Sequence, residues 1–108
     1  MTKITKYITD FMKLISDSTK LELILSLKNG KKTAKAIEQE LEISQAYTSQ
    51  QLKRLKKAGL LQSERINNIK HYSIKNNKIF DIISSISKVV LQIEKEKMLD
   101  LEKLKEII

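Results

Sequence analysis

Residues 43–61, ISQAYTSQQLKRLKKAGLL, predict a helix with a defined start and a defined end. Ser44 is a good N-cap, because its hydroxyl can accept a hydrogen bond from a free backbone N–H of the first turn. Gly59 suits the left-handed backbone position that follows the last turn of many helices. The segment therefore predicts one helix of about four turns, and the rest of the chain can be placed around it.

This predicted helix has one apolar side and one polar side. Thr48, Leu52 and Leu55 recur at i, i+4 and i+7, so they share the side that should face a core. The opposite side carries short polar residues near the start and basic residues near the end, namely Ala46, Ser49, Gln50, Lys53, Arg54 and Lys57. A helix with this distribution is suited to lie in a DNA major groove.

The same segment resembles the second helix of the helix-turn-helix in ArsR-type winged-helix repressors. The matching elements are Ile43-Ser44, Ser49, Leu52, Leu55 and Ala58-Gly59-Leu60-Leu61. The resemblance covers about residues 17–75 in order, and it implies a DNA-binding winged helix. MarR-type and viral or archaeal winged helices share much of this pattern, so they stay open as alternatives.

The neighbouring segments complete a helix-turn-helix and a wing. Thr33 should cap a short helix, TAKAIEQELE, which a three-residue turn joins to the helix after Ser44, so the helix-turn-helix spans about residues 33–58. Two strands, 60–66 and 69–74, are joined by Asn67-Asn68, a pair that tolerates the positive φ of a tight hairpin turn. This hairpin is the predicted wing, at about residues 60–74.

The remaining segments predict helices at both ends of one domain, residues 1–108. An amphipathic first helix is expected over residues 2–15, and a second helix, started by Asp17 or Ser18, should run to Leu27. A long last helix, about 77–108, has an apolar series that continues to Ile108. The predicted fold class is mainly α with a small β-hairpin, a winged helix-turn-helix with N- and C-terminal dimerisation helices.

Positive charge is concentrated in the middle of the chain. Residues 31–78 carry eleven Lys and Arg against four acids, whereas residues 79–108 carry five Lys against six acids. The formal net charge is +8. A basic patch is the electrostatic signature of phosphate binding. The alternative, a Lys-rich composition from an A·T-rich genome, would not place the charge in one segment.

These patterns predict a sequence-specific regulator that binds double-stranded DNA as a repressor at an inverted-repeat operator. Some side chains would face base edges and others would hold phosphates. The predicted DNA-binding residues are Gln45, Ala46, Tyr47, Ser49, Gln50, Lys53, Arg54, Lys57, Arg65 and Lys70.

The last helix predicts a homodimer, because its apolar series is longer and wider than one small domain needs. The predicted interface residues are Ile79, Ile83, Ile86, Val90, Ile93 and Leu101. The alternative function is a winged-helix protein-interaction module of a larger assembly, with this helix as its docking surface.

No catalytic site, metal site or cofactor is expected. The chain has no Cys and only one His, His71, whereas ArsR-type metal sensors often carry a Cys-x-Cys pair in the stretch that corresponds to Ala36-Ile37-Glu38-Gln39-Glu40. No apolar run is long enough to span a membrane, and a cytoplasmic location is expected. The sequence identifies no effector.

Overall fold

The computed structural model describes residues 2–107, which form five helices and three short strands. In chain order the elements are α1 Lys3–Leu14, α2 Ser18–Ser26, β1 Lys32–Thr33, α3 Ala34–Leu41, α4 Gln45–Lys57, β2 Leu61–Ile66, β3 Ile69–Ile74 and α5 Lys78–Ile107. The architecture is a winged helix-turn-helix, as the sequence predicts. The described residues divide into two compact units, one up to Asn76 and one from Asn77 on.

Side-chain caps start the first four helices, and those at Asp17, Thr33 and Ser44 are at the positions that the sequence predicts. Thr2, Asp17, Thr33 and Ser44 each accept a hydrogen bond from a backbone N–H of the following first turn. Each cap satisfies one of the amides that a helix start leaves without an internal partner. The starts of α1 to α4 are therefore determined by local sequence.

The core of the first unit forms where α2, α3 and α4 meet the base of the sheet. Its fully buried side chains include Leu23, Ile24, Ile37, Leu52 and Leu55. Leu21 and Leu25, on the same helix as Leu23, are only half-buried. More of the surface of α2 is therefore buried than one amphipathic face of a helix would bury.

The sheet has three strands in the order β1-β3-β2, whereas the sequence predicts a two-stranded hairpin. The additional strand, β1, pairs with β3 through Lys32 opposite Tyr72 and Thr33 opposite His71. The turn between β2 and β3 has Asn67 and Asn68 at φ values of 50° and 65°, which confirms the predicted tight turn. The wing is thus anchored through β3, its central strand.

The second unit consists of the single helix α5. At 1.5 Å per residue, its 30 residues extend over about 45 Å. Ile108, the last member of the predicted apolar series, lies outside the described residues. No helix in the described part of the chain is long and apolar enough to cross a membrane.

Candidate nucleic-acid interface

The helix α4 is held in place by its own start and by one buried side. The Ser44 hydroxyl accepts from the Tyr47 amide at 3.1 Å, and the Thr48 hydroxyl donates to the Ser44 carbonyl oxygen at 2.8 Å. Thr48, Leu52 and Leu55 are buried, as predicted. Gln51 is buried as well, which the helical pattern did not indicate. With this side buried, the orientation of the opposite side is determined.

The opposite side of α4 is exposed over its whole length. The exposed residues predicted for DNA binding are Gln45, Ala46, Ser49, Gln50, Lys53, Arg54 and Lys57. The first two turns carry amides, a hydroxyl and a methyl group, and the last two turns carry cations. One helix face therefore offers groups that match base edges, followed by groups that match phosphates.

Tyr47 differs from the other predicted residues because it is half-buried. Its partial burial raises the pKa of the phenol above its usual value; the Asp17 carboxylate adds to this effect, and Arg54 opposes it. The phenol therefore stays protonated at neutral pH. Tyr47 therefore lies at the edge of the exposed side, between the buried and the exposed residues of α4.

The wing turns one face of its hairpin towards α4. Residues directly opposite each other in an antiparallel pair project on the same face, and here Ser63 pairs with Tyr72 and Arg65 with Lys70. The Lys56 ammonium of α4 donates to the Ser63 hydroxyl at 2.6 Å, so this face is the one next to the helix. The basic residues of the wing and of α4 therefore lie on neighbouring surfaces.

At the tip of the wing, the turn itself holds Arg65. Its Nη1 lies 3.5 Å from the carbonyl oxygen of Asn68 and 3.4 Å from the Oδ1 of the same residue. Ile69 at the tip is 55% exposed. The guanidinium is thus directed towards the end of the hairpin.

The cations of this surface are not neutralised by acids. Within residues 2–107, the ion pairs use other lysines, such as Lys31 with Glu64 at 3.0 Å and Lys20 with Asp17 at 3.7 Å. Glu64 is opposite His71 in the sheet, so it projects on the wing face that is turned away from Arg65 and Lys70. The positive charge around α4 is therefore available to an external anion.

Sequence reasoning missed two members of this surface, Lys56 and Tyr72. Lys56 is part of the basic string after Leu52, but only the fold shows that it reaches Ser63 on the wing. Tyr72 is half-buried on the face turned to α4. The pairing register of the hairpin was the one available signal, because it places Tyr72 beside Ser63 and Lys70 near Arg65.

The residues predicted for a dimer interface lie along α5 with very different exposure. Ile79 is 3% exposed and Ile83 is half-buried. Further along, the side chains are exposed by 45–60%: Ile86, Val90, Ile93 and Leu101. Ile79 is already buried in the single chain, so only the later residues have much surface left for a second molecule.

Within the described residues, no group of three or more His, Asp or Glu side chains could hold a metal ion. His71, the single histidine, has its Nδ1 within 3.0 Å of the Ile69 carbonyl oxygen. Its cross-strand neighbours are Thr33 and Glu64. These surroundings do not supply the three or four ligands that zinc requires.

Comparison with known proteins gives one family for the segment that contains this surface. Residues 17–63 match the family model described as "Bacterial regulatory protein, arsR family". Residues 17–63 are therefore similar to the proteins that this model describes. The matched segment runs from the cap of α2 to the middle of β2, so it includes the whole helix-turn-helix of the structure. The comparison with curated proteins finds no match.

Several solved structures share the fold. Rv0081 from M. tuberculosis aligns with a TM-score of 0.83 and 19% identity, over 91% of this chain and 99% of that one. The transcriptional repressor BigR from Xylella fastidiosa aligns with a TM-score of 0.71 and 23% identity, over 82% and 96% of the two chains. The homodimeric winged helix-turn-helix domain of Mb0332 from Mycobacterium bovis gives a TM-score of 0.72, 18% identity and coverages of 82% and 85%.

The matched model describes regulatory proteins, so the similarity of residues 17–63 supports a DNA-binding regulator. The predicted resemblance is confirmed for the helix-turn-helix. The stretch Ala36-Ile37-Glu38-Gln39-Glu40, where the resemblance allows a Cys-x-Cys pair, lies within α3 and offers two carboxylates and no sulfur.

Proposed function

We propose that this chain, a DNA-binding regulator, recognises a specific double-stranded operator through α4 and the wing and acts in the cytoplasm as a dimeric repressor. One observation supports it above the others: the exposed side of α4 carries base-matching groups in its first two turns, followed by cations that no acid neutralises. The alternative is that this face is simply solvated. A solvated helix face usually carries acids as well as bases, whereas α4 has no Asp or Glu.

The first two turns of α4 would read bases. Gln45 and Gln50 each carry an amide that can donate and accept at once, which matches the N6 and N7 atoms of adenine. The methyl group of Ala46 can contact the methyl group of thymine, and the Ser49 hydroxyl can serve either base. Tyr47 would contribute from the edge of this surface. These groups favour A·T pairs in the centre of each half-site.

The cations would set the position of the protein on the duplex. Lys53, Arg54 and Lys57 follow the base-reading turns, and Lys70 projects from the wing on the side of α4. Phosphate contacts of this kind fix register without reading sequence. Arg65, held at the tip by Asn68, would reach the adjacent minor groove, where a narrow A·T-rich segment attracts a guanidinium.

Selection of bound sequences from a random DNA pool tests this function. A single enriched motif is expected for the wild type, and Gln50→Ala should lose discrimination at one base position by about 1–3 kcal/mol if that contact is bidentate. Gln62→Ala is the matched control, because Gln62 is an exposed amide on the wing face turned away from α4. A pool that yields no common sequence would contradict the proposal.

The dimer rests on the exposed apolar side chains of α5. Monomeric proteins rarely expose a continuous apolar patch of this length, and such patches usually mark an interface. The helix α1 adds a second exposed apolar face, with Ile4, Ile8 and Met12 more than half exposed and no residue of the helix buried. Mb0332, which shares the fold, is described as homodimeric. A two-fold dimer would place two α4 helices about 34 Å apart, so the operator would be an inverted repeat.

Sedimentation of the full chain at micromolar concentration tests the dimer. Ile86→Asp should shift the protein to monomers, because burying an unpaired carboxylate in the proposed dimer interface costs free energy of association. Ser85→Asp, the neighbouring exposed position, adds the same charge and should leave the dimer intact. A monomeric wild type would favour the alternative function, a winged-helix interaction module that docks another protein on α5.

Repression would follow from occupying the promoter. BigR, which shares the fold, is described as a transcriptional repressor. In transcription with purified polymerase, adding the chain to a template that carries the selected motif should lower transcript yield, and a template with a scrambled motif should be unaffected. An increase in transcript would identify an activator instead.

A further inference from the structure

The wing and α4 border an open cleft, and each side chain that lines it ends in a polar group. Its volume is about 630 Å³, and it is lined by Ser49, Lys53, Lys56, Lys57, Lys70 and Tyr72. Pockets for small ligands usually have volumes of roughly 300–1,000 Å³. We call this feature the lysine cleft. It offers four ammonium groups and two hydroxyl groups, and no carboxylate is among its lining residues.

Electrostatics make the lysine cleft a site for anions. Four ammonium groups around one cavity repel each other, and a multiply charged anion between them would turn that repulsion into attraction. Ammonium groups bind phosphate oxygens as compact point charges. The nearest acid of the wing, Glu64, is on the opposite face and is already paired with Lys31. The cleft has no internal counter-charge.

Contacts that do not involve a ligand hold the two walls of the cleft. The hydrogen bond from Lys56 to Ser63 joins α4 to β2 at 2.6 Å. Tyr72 lies on the central strand, where Ser63 is its partner on one side and Lys32 is its partner on the other. Because the backbone of both walls is held before an anion binds, the ordering cost falls mainly on the exposed lysine side chains.

We propose that the lysine cleft is a single binding site for a run of adjacent phosphate groups. The backbone of a DNA strand supplies such a run, and this part rests on the proposed function. A free oligophosphate supplies the same chemistry without DNA. The cleft therefore also binds small oligophosphorylated anions, which displace the operator from α4 and the wing. Tyr72 acts here as a hydroxyl donor to phosphate and not only as a packing residue.

Calorimetry of the full chain with sodium tripolyphosphate, in the absence of DNA and at constant ionic strength, tests the site. One saturable site per chain is expected. Lys53→Ala and Lys70→Ala should each weaken binding by roughly two- to fivefold, the range expected for one exposed ion pair. Tyr72→Phe should weaken it as well, with unchanged thermal stability, because the ring is kept. Lys88→Ala, on the exposed surface of α5, is the control and should bind as the wild type does.

The outcomes separate this proposal from the proposed function. Absence of saturable binding, or an equal loss in Lys88→Ala, would overturn the site, because the attraction would then be absent or merely due to net charge. Tripolyphosphate should also displace selected DNA more strongly than KCl of the same ionic strength. Equal displacement by the two salts would overturn the shared site. Saturable binding of tripolyphosphate with no enriched DNA motif would support the lysine cleft and refute operator recognition.

Discussion

The salt dependence of DNA binding can be worked out from the cations of α4 and the wing. Apart from Lys56, whose ammonium is hydrogen-bonded to Ser63, each chain presents five that no carboxylate neutralises: Lys53, Arg54, Lys57, Arg65 and Lys70. Each phosphate contact releases condensed counterions, so log K should fall with log[salt] by about 0.9 per contact. If all five bind phosphates, the slope is about −4.5 for one chain and about −9 for a dimer. Affinity should then fall by about 10⁵ between 50 and 200 mM salt.

Fluorescence anisotropy with a labelled operator across a KCl series measures this slope. Lys53→Ala removes one contact per chain, so the slope of a dimer should change from about −9 to about −7, for operator and random DNA alike. Lys88→Ala changes the net charge equally and should leave the slope unaltered. A slope shallower than about −3, or the same change in both variants, would refute the assignment of these cations to phosphates.

Three further outcomes concern stability and metals. Gly59 has a φ of +86° and open space where a Cβ would stand, so Gly59→Ala should destabilise the fold by about 1 kcal/mol through backbone strain alone, and Gly59→Asn by less. Thermal melts of both variants would check this, and equal melting temperatures would contradict it. Leu52→Ala removes a side chain that is 1% exposed and should cost about 2–5 kcal/mol in urea unfolding; a cost under 1 kcal/mol would mean that α4 is not anchored there. Calorimetric titration with zinc should show no micromolar site, whereas a stoichiometric one would reveal ligands shared between chains.

Local chemistry made most element boundaries predictable. Asp17, Thr33 and Ser44 start helices because their side chains accept from amides three residues on, a signal that needs no tertiary structure. Gly59 ends α4 for an equally local reason, its positive φ. The buried side of α4, with Thr48, Leu52 and Leu55, was predicted correctly because the helical period leaves only one side of this segment apolar.

Features that depend on distant parts of the chain were not predictable. The strand β1 has two residues and exists only because Tyr72 and His71, about 40 positions later, are there to pair with it. Glu42 adopts φ +55° between α3 and α4 although Glu is not a residue that favours this region. The tight turn of the motif imposes that conformation. The lysine cleft likewise depends on how β3 is placed beside α4, which the spacing of lysines in the sequence does not reveal.

The separation of buried and exposed residues on α4 has an evolutionary consequence. Gln45, Ala46, Ser49 and Gln50 point away from the core, and substitutions at exposed positions of this kind usually change stability by no more than about 0.5 kcal/mol. The side chains that maintain the fold and those proposed to choose the operator are thus different sets on one helix. A duplicated gene could acquire a new target through these four codons while selection preserves the others, so descendants of this protein are free to diverge in the genes they control without first losing the ability to fold.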